Sequence, residues 1–240
     1  MKPLRYLANL GYGSRREVAQ MLLKRRVTRR DGSRVGDADV VVHDDLLVDG
    51  VPLDPPPGTV VMLNKPPGYV SSTVKDGAGA PVYDLLPARF RHRSPVMAPV
   101  GRLDRDTTGL LLFTDDGPLN HRLTSPRTHL PKTYLATLAS DLRGDEAGLF
   151  AAGTLMLDGE AAPLAPAELE VLGARVARLT LHEGRYHQAR RMFAAAGNRV
   201  TALHREAIGP LTLGGLGEGE WRLLNAHDIA ALTLTGVNGE

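Results

Sequence analysis

The chain has 240 residues, 42% hydrophobic and 23% charged, the make-up of one large globular domain or two smaller ones. It contains no cysteine, which excludes disulfides, thiolate metal sites and a cysteine nucleophile, and fits a reducing cytoplasm. Aromatic content is only 5%, so a surface built solely from stacking rings is not expected, and no apolar run approaches the ~20 residues of a membrane span. Residues 1–10 carry charged and polar interruptions, so a signal peptide is not expected there.

The formal net charge of +2 hides an uneven distribution. Residues 1–30 hold nine Lys and Arg against the single acid Glu17, whereas residues 31–60 hold seven Asp against Arg34. Ser14-Arg15-Arg16-Glu17 reads as a capping box that opens a helix. Helical spacing puts Val18, Met21, Leu22 and Arg25 on one face. Lys24, Arg25 and Arg26 fall in the expected last turn, where cations complement the helix dipole. Short strands are expected at Val40–His43 and Leu46–Val48, with Val51 to Leu53 closing the unit. Asp54-Pro55-Pro56-Pro57-Gly58 then reads as a stiff, exposed connector and marks a domain boundary.

Beyond the connector, Thr59–Leu63 is β-rich and ends in turn chemistry at Asn64-Lys65-Pro66-Pro67-Gly68. Leu110 to Phe113 reads as a buried strand, and Thr133–Leu138 and Ala177–Leu181 alternate with period two. Tyr186 to Ala196 reads as a helix stopped by Gly197. The mixture predicts an α+β fold with a largely antiparallel, mixed sheet flanked by helices and loops.

Two segments concentrate chemistry. In Gly101-Arg102-Leu103-Asp104-Arg105-Asp106-Thr107-Thr108-Gly109-Leu110, two carboxylates are interleaved with arginines. Neighbouring cations keep a carboxylate ionised, as a nucleophile or base requires, but the same pattern also suits a polar turn before a buried strand. Glu183-Gly184-Arg185-Tyr186-His187-Gln188-Ala189-Arg190-Arg191-Met192 gathers cations around a strand-to-helix turn. It admits an anion site or a solvated basic helix face. Asp106, Asp115 and Asp116 read as turn or capping residues. His187 is divided between an RNA contact and a structural role, with the structural one favoured, and Lys65 between a phosphate contact and a turn role. The eight histidines form no convincing ligand set, so neither metal nor cofactor is expected.

Taken together, these segments resemble the pseudouridine synthases of the small-subunit (16S) rRNA type. The resemblance rests on five collinear motifs: Leu63-Asn64-Lys65-Pro66 with Gly68; Gly101-Arg102-Leu103-Asp104 through Asp106-Thr107-Thr108-Gly109-Leu110 to Thr114-Asp115-Asp116-Gly117; Thr124-Ser125-Pro126 with Lys132-Thr133-Tyr134; Glu183-Gly184-Arg185-Tyr186-His187-Gln188 with Arg191-Met192-Phe193 and Gly197-Asn198; and Leu203-His204-Arg205-Glu206 with Ile208-Gly209. The N-terminal segment is similar to the small S4 RNA-binding domain, with Val48-Asp49-Gly50 near its end. The expected domains are residues 1–56 and 57–238.

The resemblance implies that a uridine is extruded from folded RNA and isomerised, with Asp104 as nucleophile. It implies Tyr134 stacking on the base, Arg190 beside the aspartate where relatives often carry lysine, Arg102 helping to displace the nucleotide, and Leu203 packing under the site. Arg15, Arg16, Lys24, Arg25, Arg26 and Arg185 are the expected RNA contacts. The expected partner is ribosomal RNA or a small-subunit assembly intermediate, met by a cytoplasmic, membrane-free monomer. Three rivals stay open. A large-subunit (23S) enzyme of the same family would share the motifs. A non-catalytic rRNA-binding factor would need only the basic segment. A glycoside hydrolase could use Asp104 and Asp106, whose spacing permits the ~5–9 Å carboxyl separation of that chemistry.

Overall fold

The computed structural model describes residues 1–72, 79–125, 128 and 130–234. Two helices open the chain, α1 (Pro3–Asn9) and α2 (Arg15–Leu23). Pro3 sits at the first helical position of α1, where its missing N–H costs nothing. The capping box at α2 forms as the sequence suggests: Glu17 N–H donates to Ser14 Oγ at 3.3 Å, and Ser14 N–H donates to Glu17 Oε2 at 2.7 Å. The helix ends earlier than expected. Arg25 adopts a left-handed backbone with φ 56°, and Arg26 N–H turns back to the Met21 carbonyl at 2.9 Å. Lys24, Arg25 and Arg26 therefore lie just past the last turn, and Arg25 is exposed instead of sharing the buried face of Val18, Met21 and Leu22.

A three-stranded antiparallel sheet completes this unit: β1 (Val27–Arg29), β2 (Leu46–Val48) and β3 (Val51–Pro52). Asp49 and Gly50, both at positive φ, make the tight turn between β2 and β3. The expected strand at Val40–His43 is absent. Val40 and Val42 face solvent, only Val41 is buried, and His43–Asp45 form a 3-10 turn. The core holds Leu7, Val18, Met21, Leu22, Val27, Val35, Val41, Leu46 and Val48.

The connector is only partly exposed. Arg93 and Asp115, both almost fully buried, pair at 2.9 Å. Arg93 Nη2 also donates to the Pro55 carbonyl, and Asp115 Oδ1 accepts from Gly58 N–H at 2.8 Å. Asp115 is thus the staple of the connector and more than a turn former. Tyr12 Oη accepts from Asp54 N–H at 2.9 Å, and Arg89 pairs with the Asp54 carboxylate.

The remaining strands are β4 (Val60–Lys65), β5 (Tyr69–Val70), β6 (Ala80–Pro81), β7 (Ala98–Val100), β8 (Thr107–Thr114), β9 (Lys132–Leu138), β10 (Glu168–Gly173), β11 (Val176–Leu181), β12 (Val200–Ile208), β13 (Leu211–Thr212) and β14 (Trp221–Leu223). Among them lie α3 (Gly117–Thr124), α4 (Glu146–Ala151), α5 (Gln188–Ala195) and α6 (Ala226–Leu234). Among the described residues, nine strands form one sheet in the order β10-β11-β9-β12-β8-β4-β14, with β7 on β8 and β13 on β12. Only β12 and β8 run parallel in it, so the α+β, mainly antiparallel reading holds.

Central strands β4 and β8 are buried except at Thr108 and carry apolar residues on both faces. Val60, Met62, Leu110 and Leu112 pack toward α3 and α6, while Val61, Leu63, Leu111 and Phe113 pack on Tyr83, Phe90 and Met97. A third cluster joins Ala136, Leu179, Leu181 and Leu203 to Met192 and Phe193 of α5. Tyr134 packs against both clusters on its side of the sheet, at the seam where the site lies.

Candidate active site

Asp104 stands in the turn between β7 and β8, and backbone contacts hold that turn from below. Thr107 N–H closes it onto the Asp104 carbonyl at 3.1 Å. Ser71 Oγ donates to the Leu103 carbonyl at 2.9 Å and accepts from Leu103 N–H at 3.1 Å. Gly68 N–H donates to the Arg105 carbonyl at 2.9 Å. Lys65 is wholly buried at the end of β4. Its ammonium donates to the carbonyls of Pro66 at 3.0 Å, Arg105 at 3.1 Å and Thr107 at 2.8 Å. Those three bonds use all three lysine donors. Burial pushes the Lys65 pKa down to about 8, with Asp106 and Asp104 opposing the shift. The geometry settles the two roles left open for Lys65: it organises the Asp104 turn.

The start of α5 faces Asp104. His187 takes a left-handed conformation, φ 49°, one residue before the helix. This places Nε2 at 3.2 Å from Asp104 Oδ1. Tyr186 stacks on the His187 ring at 3.8 Å and is 74% exposed. The helix consequently begins at Gln188, two residues later than the spacing suggested, and gives way to Gly197 at φ 78°. Arg190, one turn in, brings Nε to 4.0 Å from Asp104 Oδ2, and its Nη1 donates to the Val200 carbonyl at 3.3 Å. The distance to Oδ2 is an ion pair at its outer limit and too long for a hydrogen bond.

Tyr134 and Lys132 share one face of β9, being two residues apart on a strand. Leu203 is buried on the neighbouring β12, opposite Ala136. Two residues further, Arg205 lies opposite Tyr134. It donates from Nε to the Leu110 carbonyl at 2.7 Å and from Nη1 to the Tyr134 hydroxyl at 3.4 Å. Its approach explains Gly109: a Cβ there would sit 2.3 Å from the Arg205 carbonyl oxygen. A cleft of about 570 Å³ opens between these strands and α5, lined by Arg102, Asp104, Lys132, Tyr134, Leu203 and Arg205 among others.

A family model described as RNA pseudouridylate synthase matches residues 59–195, more than half the chain. The chain belongs to the RNA pseudouridylate synthase family. It is 46% identical to ribosomal small subunit pseudouridine synthase A of Yersinia pestis, over 91% of this chain and 92% of that protein. The Escherichia coli K12 protein of the same name is 46% identical over 84% of this chain and 87% of its own length. A crystal structure of a pseudouridylate synthase aligns with TM-score 0.67 and 35% identity, over 97% of this chain and 99% of that one.

In this pseudouridylate synthase Arg102 is exposed at the cleft, next to the Asp104 turn. Arg185 lines the cleft too, but its guanidinium is committed elsewhere. It pairs with Glu183 at 3.0 Å and Glu160 at 3.2 Å, and donates to the carbonyls of Ala162 at 2.7 Å and Pro163 at 2.6 Å. Arg185 thereby clamps the 160–163 segment at the cleft wall. Asp106 is exposed on the turn, and Asp116 caps α3 by accepting from Leu119 N–H at 2.9 Å. Of the Thr124-Ser125-Pro126 motif, Pro126 lies outside the described residues.

Arg15, Arg16, Lys24 and Arg25 are exposed on the N-terminal unit, while Arg26 makes a two-pronged pair with Asp49 at 2.8 and 2.6 Å. A second hollow, of about 760 Å³, lies here, away from Asp104, lined by Arg16, Lys24, Arg26 and Arg89. Arg89 lies 4.9 Å above the Tyr12 ring. No helix among the described residues is long and apolar enough to cross a membrane.

The sequence reading missed His187, Ser71, Lys132 and Arg205 as neighbours of the site. For Lys132 the signal was available, since period two puts it on the face of Tyr134. For Arg205 a parallel signal lay two residues beyond Leu203.

Proposed function

We propose that this chain isomerises a uridine of 16S ribosomal RNA to pseudouridine in the cytoplasm, with Asp104 as nucleophile. One observation carries the reading: Asp104 sits on a turn held by Lys65 and Ser71, at a cleft whose wall presents the Tyr134 ring. The 46% identity to small-subunit synthases A over nine-tenths of the chain supports the choice of 16S over 23S rRNA. A target base inside folded RNA must be extruded to reach such a cleft. Tyr134 offers it an aromatic face, worth ~1–3 kcal/mol where bases stack on protein rings. The N1–C1′ bond breaks, the uracil turns, and C5 joins C1′. C5 gives up a proton and N1 gains one, so no electrons are exchanged with a cofactor. Arg190 and His187 face the Asp104 carboxylate and hold it toward the sugar and base. Residues 1–56 act in this reading as an S4-like clamp on the RNA, and the catalytic unit runs from residue 57 to 238.

The test is Asp104→Asn, which keeps size and removes charge. No pseudouridine should form in a 16S rRNA transcript, with thermal unfolding unchanged. Substantial turnover would remove Asp104 from the role, and modification of 23S rRNA alone would move the target.

A further inference from the structure

Among the described residues, two cations at the inner wall of the cleft pair with no carboxylate. Arg205 is 2% exposed, is absent from every ion pair among the described residues, and leaves Nη2 buried without a hydrogen-bond partner. A buried guanidinium without a counter-charge, and with one donor empty, is costly and calls for a reason. Lys132, on the face of Tyr134, donates to the Leu130 carbonyl at 2.8 Å. Burial, helped by the charge of Arg205, lowers its pKa to about 8, which leaves it mostly protonated at neutral pH. The Arg205 guanidinium lies 5.9 Å from the centre of the Tyr134 ring.

Cations already in place and starved of a partner suit a negative charge that appears only during the reaction. The isomerisation proposed above generates one. When the Asp104 carboxylate attacks C1′, an Oδ–C1′ bond forms and the N1–C1′ pair leaves with the uracil, spreading over N1 and the carbonyl oxygens O2 and O4. Attack on C6 of the base instead drives charge through C5 onto O4. We propose that Arg205 and Lys132 form an anion hole that donates to the uracil carbonyl oxygens as the glycosidic bond breaks. C5 then attacks C1′ and expels Asp104, C5 loses its proton and N1 is protonated. An RNA phosphate is the other anion available, but it is tethered on both sides and suits the exposed Arg102. A flat base lying on Tyr134 reaches the buried wall. This inference rests on the pseudouridine-synthase reading.

Lys132→Met tests it with a 16S rRNA transcript, by single-turnover rate and by RNA affinity across a salt series. The rate should fall tenfold or more, with Kd within twofold of the parent and an unchanged salt slope. Lys132→Arg, which keeps the charge, should restore much of the rate. With 5-fluorouridine in place of uridine the departing ring carries charge more easily, so the deficit in bond cleavage should shrink. A Lys132→Met enzyme with the parent rate overturns the proposal. A weakened Kd with a flatter salt slope also overturns it and assigns Lys132 to a phosphate. Should Arg205→Lys fail to fold, through loss of the Leu110 bond, the Lys132 pair of variants still decides. If the parent enzyme forms no pseudouridine in the transcript, the function itself is wrong; if the parent is active and Lys132→Met equals it, only the anion hole is.

Discussion

Two regions of this molecule use cations in opposite ways. Beneath the Asp104 turn and along the cleft wall, two positive groups are enclosed: Lys65 is fully buried, Arg205 nearly so, and each donates to backbone carbonyl oxygen. On the N-terminal unit Arg15, Arg16, Lys24 and Arg25 stand in solvent. Charge enclosed in protein acts strongly over a few ångströms and is little affected by salt, whereas exposed charge acts on any polyanion and is screened. The first arrangement builds geometry for one chemical step. The second suits sequence-independent hold on RNA.

Removing the ammonium of Lys65 should break the enclosed region most severely. Lys65→Met strands the carbonyls of Pro66, Arg105 and Thr107, and should cost about 2–4 kcal/mol of stability in urea unfolding, with a loss of turnover. The pH dependence sharpens the point. Lys65 and Lys132 both have native values near 8 against an ordinary 10.5. Between those values the unfolded chain binds more protons than the native one, so stability should rise with pH from about 8 to about 9.5. Above that, tyrosines such as Tyr83, held up at about 12 in the native state, ionise first in the unfolded chain and reverse the trend. Lys65→Met should remove about half of the rise. A flat stability profile from pH 8 to 9.5 in the parent would show that the lysines are hydrated.

How much of this was readable beforehand depended on distance along the chain. The Ser14–Glu17 box spans three residues and forms as its sequence suggests. The Leu110–Phe113 run is apolar on both faces and lies inside β8. Val40–His43 misled because an apolar run is not an alternation, and only Val41 turns inward. Strand β1 was hidden because Val27–Arg29 sits in a basic run at the edge of a small sheet. Asp115 was misread because its partner, Arg93, lies 22 residues away. The His187–Asp104 contact depends on a left-handed residue ahead of α5, a conformation that nothing in Tyr186-His187-Gln188 announces. Arg205 escaped because its partners include a backbone carbonyl on another strand.

Between the extremes lies the Asp104–Arg190 pair. At 4.0 Å, with side chains 33% and 27% exposed, it is neither enclosed nor free. Solvent screening limits its worth, so a double-mutant cycle of Asp104→Asn with Arg190→Met, read as stability, should show coupling on the order of 0.5 kcal/mol. In the proposed role of Arg190, aiming the carboxylate, turnover should respond more than stability, and Arg190→Lys should recover much of it. Full additivity, with turnover of Arg190→Met at the parent level, would leave His187 as the group that orients Asp104.

The smallest effect per residue, and the most salt-dependent, is expected at the N-terminal patch. Each arginine that neutralises a phosphate releases condensed counterions, so its removal should flatten the plot of log affinity against log salt by ~0.7–0.9. Arg15, Arg16 and Arg25 carry no intramolecular ion pair among the described residues, so each is available for this exchange. Arg26 is different: Asp49 already supplies its counter-charge through two hydrogen bonds, and RNA must first displace it. Neutralising Arg15, Arg16 and Arg25 together to glutamine should therefore raise the Kd for 16S rRNA and flatten the slope by about 2–3. Arg26→Gln alone should change the slope by much less than any one of them. Stability should stay within about 0.5 kcal/mol for the triple variant, because these side chains lie in solvent. An unchanged slope in the triple variant would mean that the patch faces away from the RNA. An Arg26→Gln effect as large as that of Arg16→Gln would mean that the Asp49 pair opens on binding, turning a locally neutral residue into part of the RNA surface.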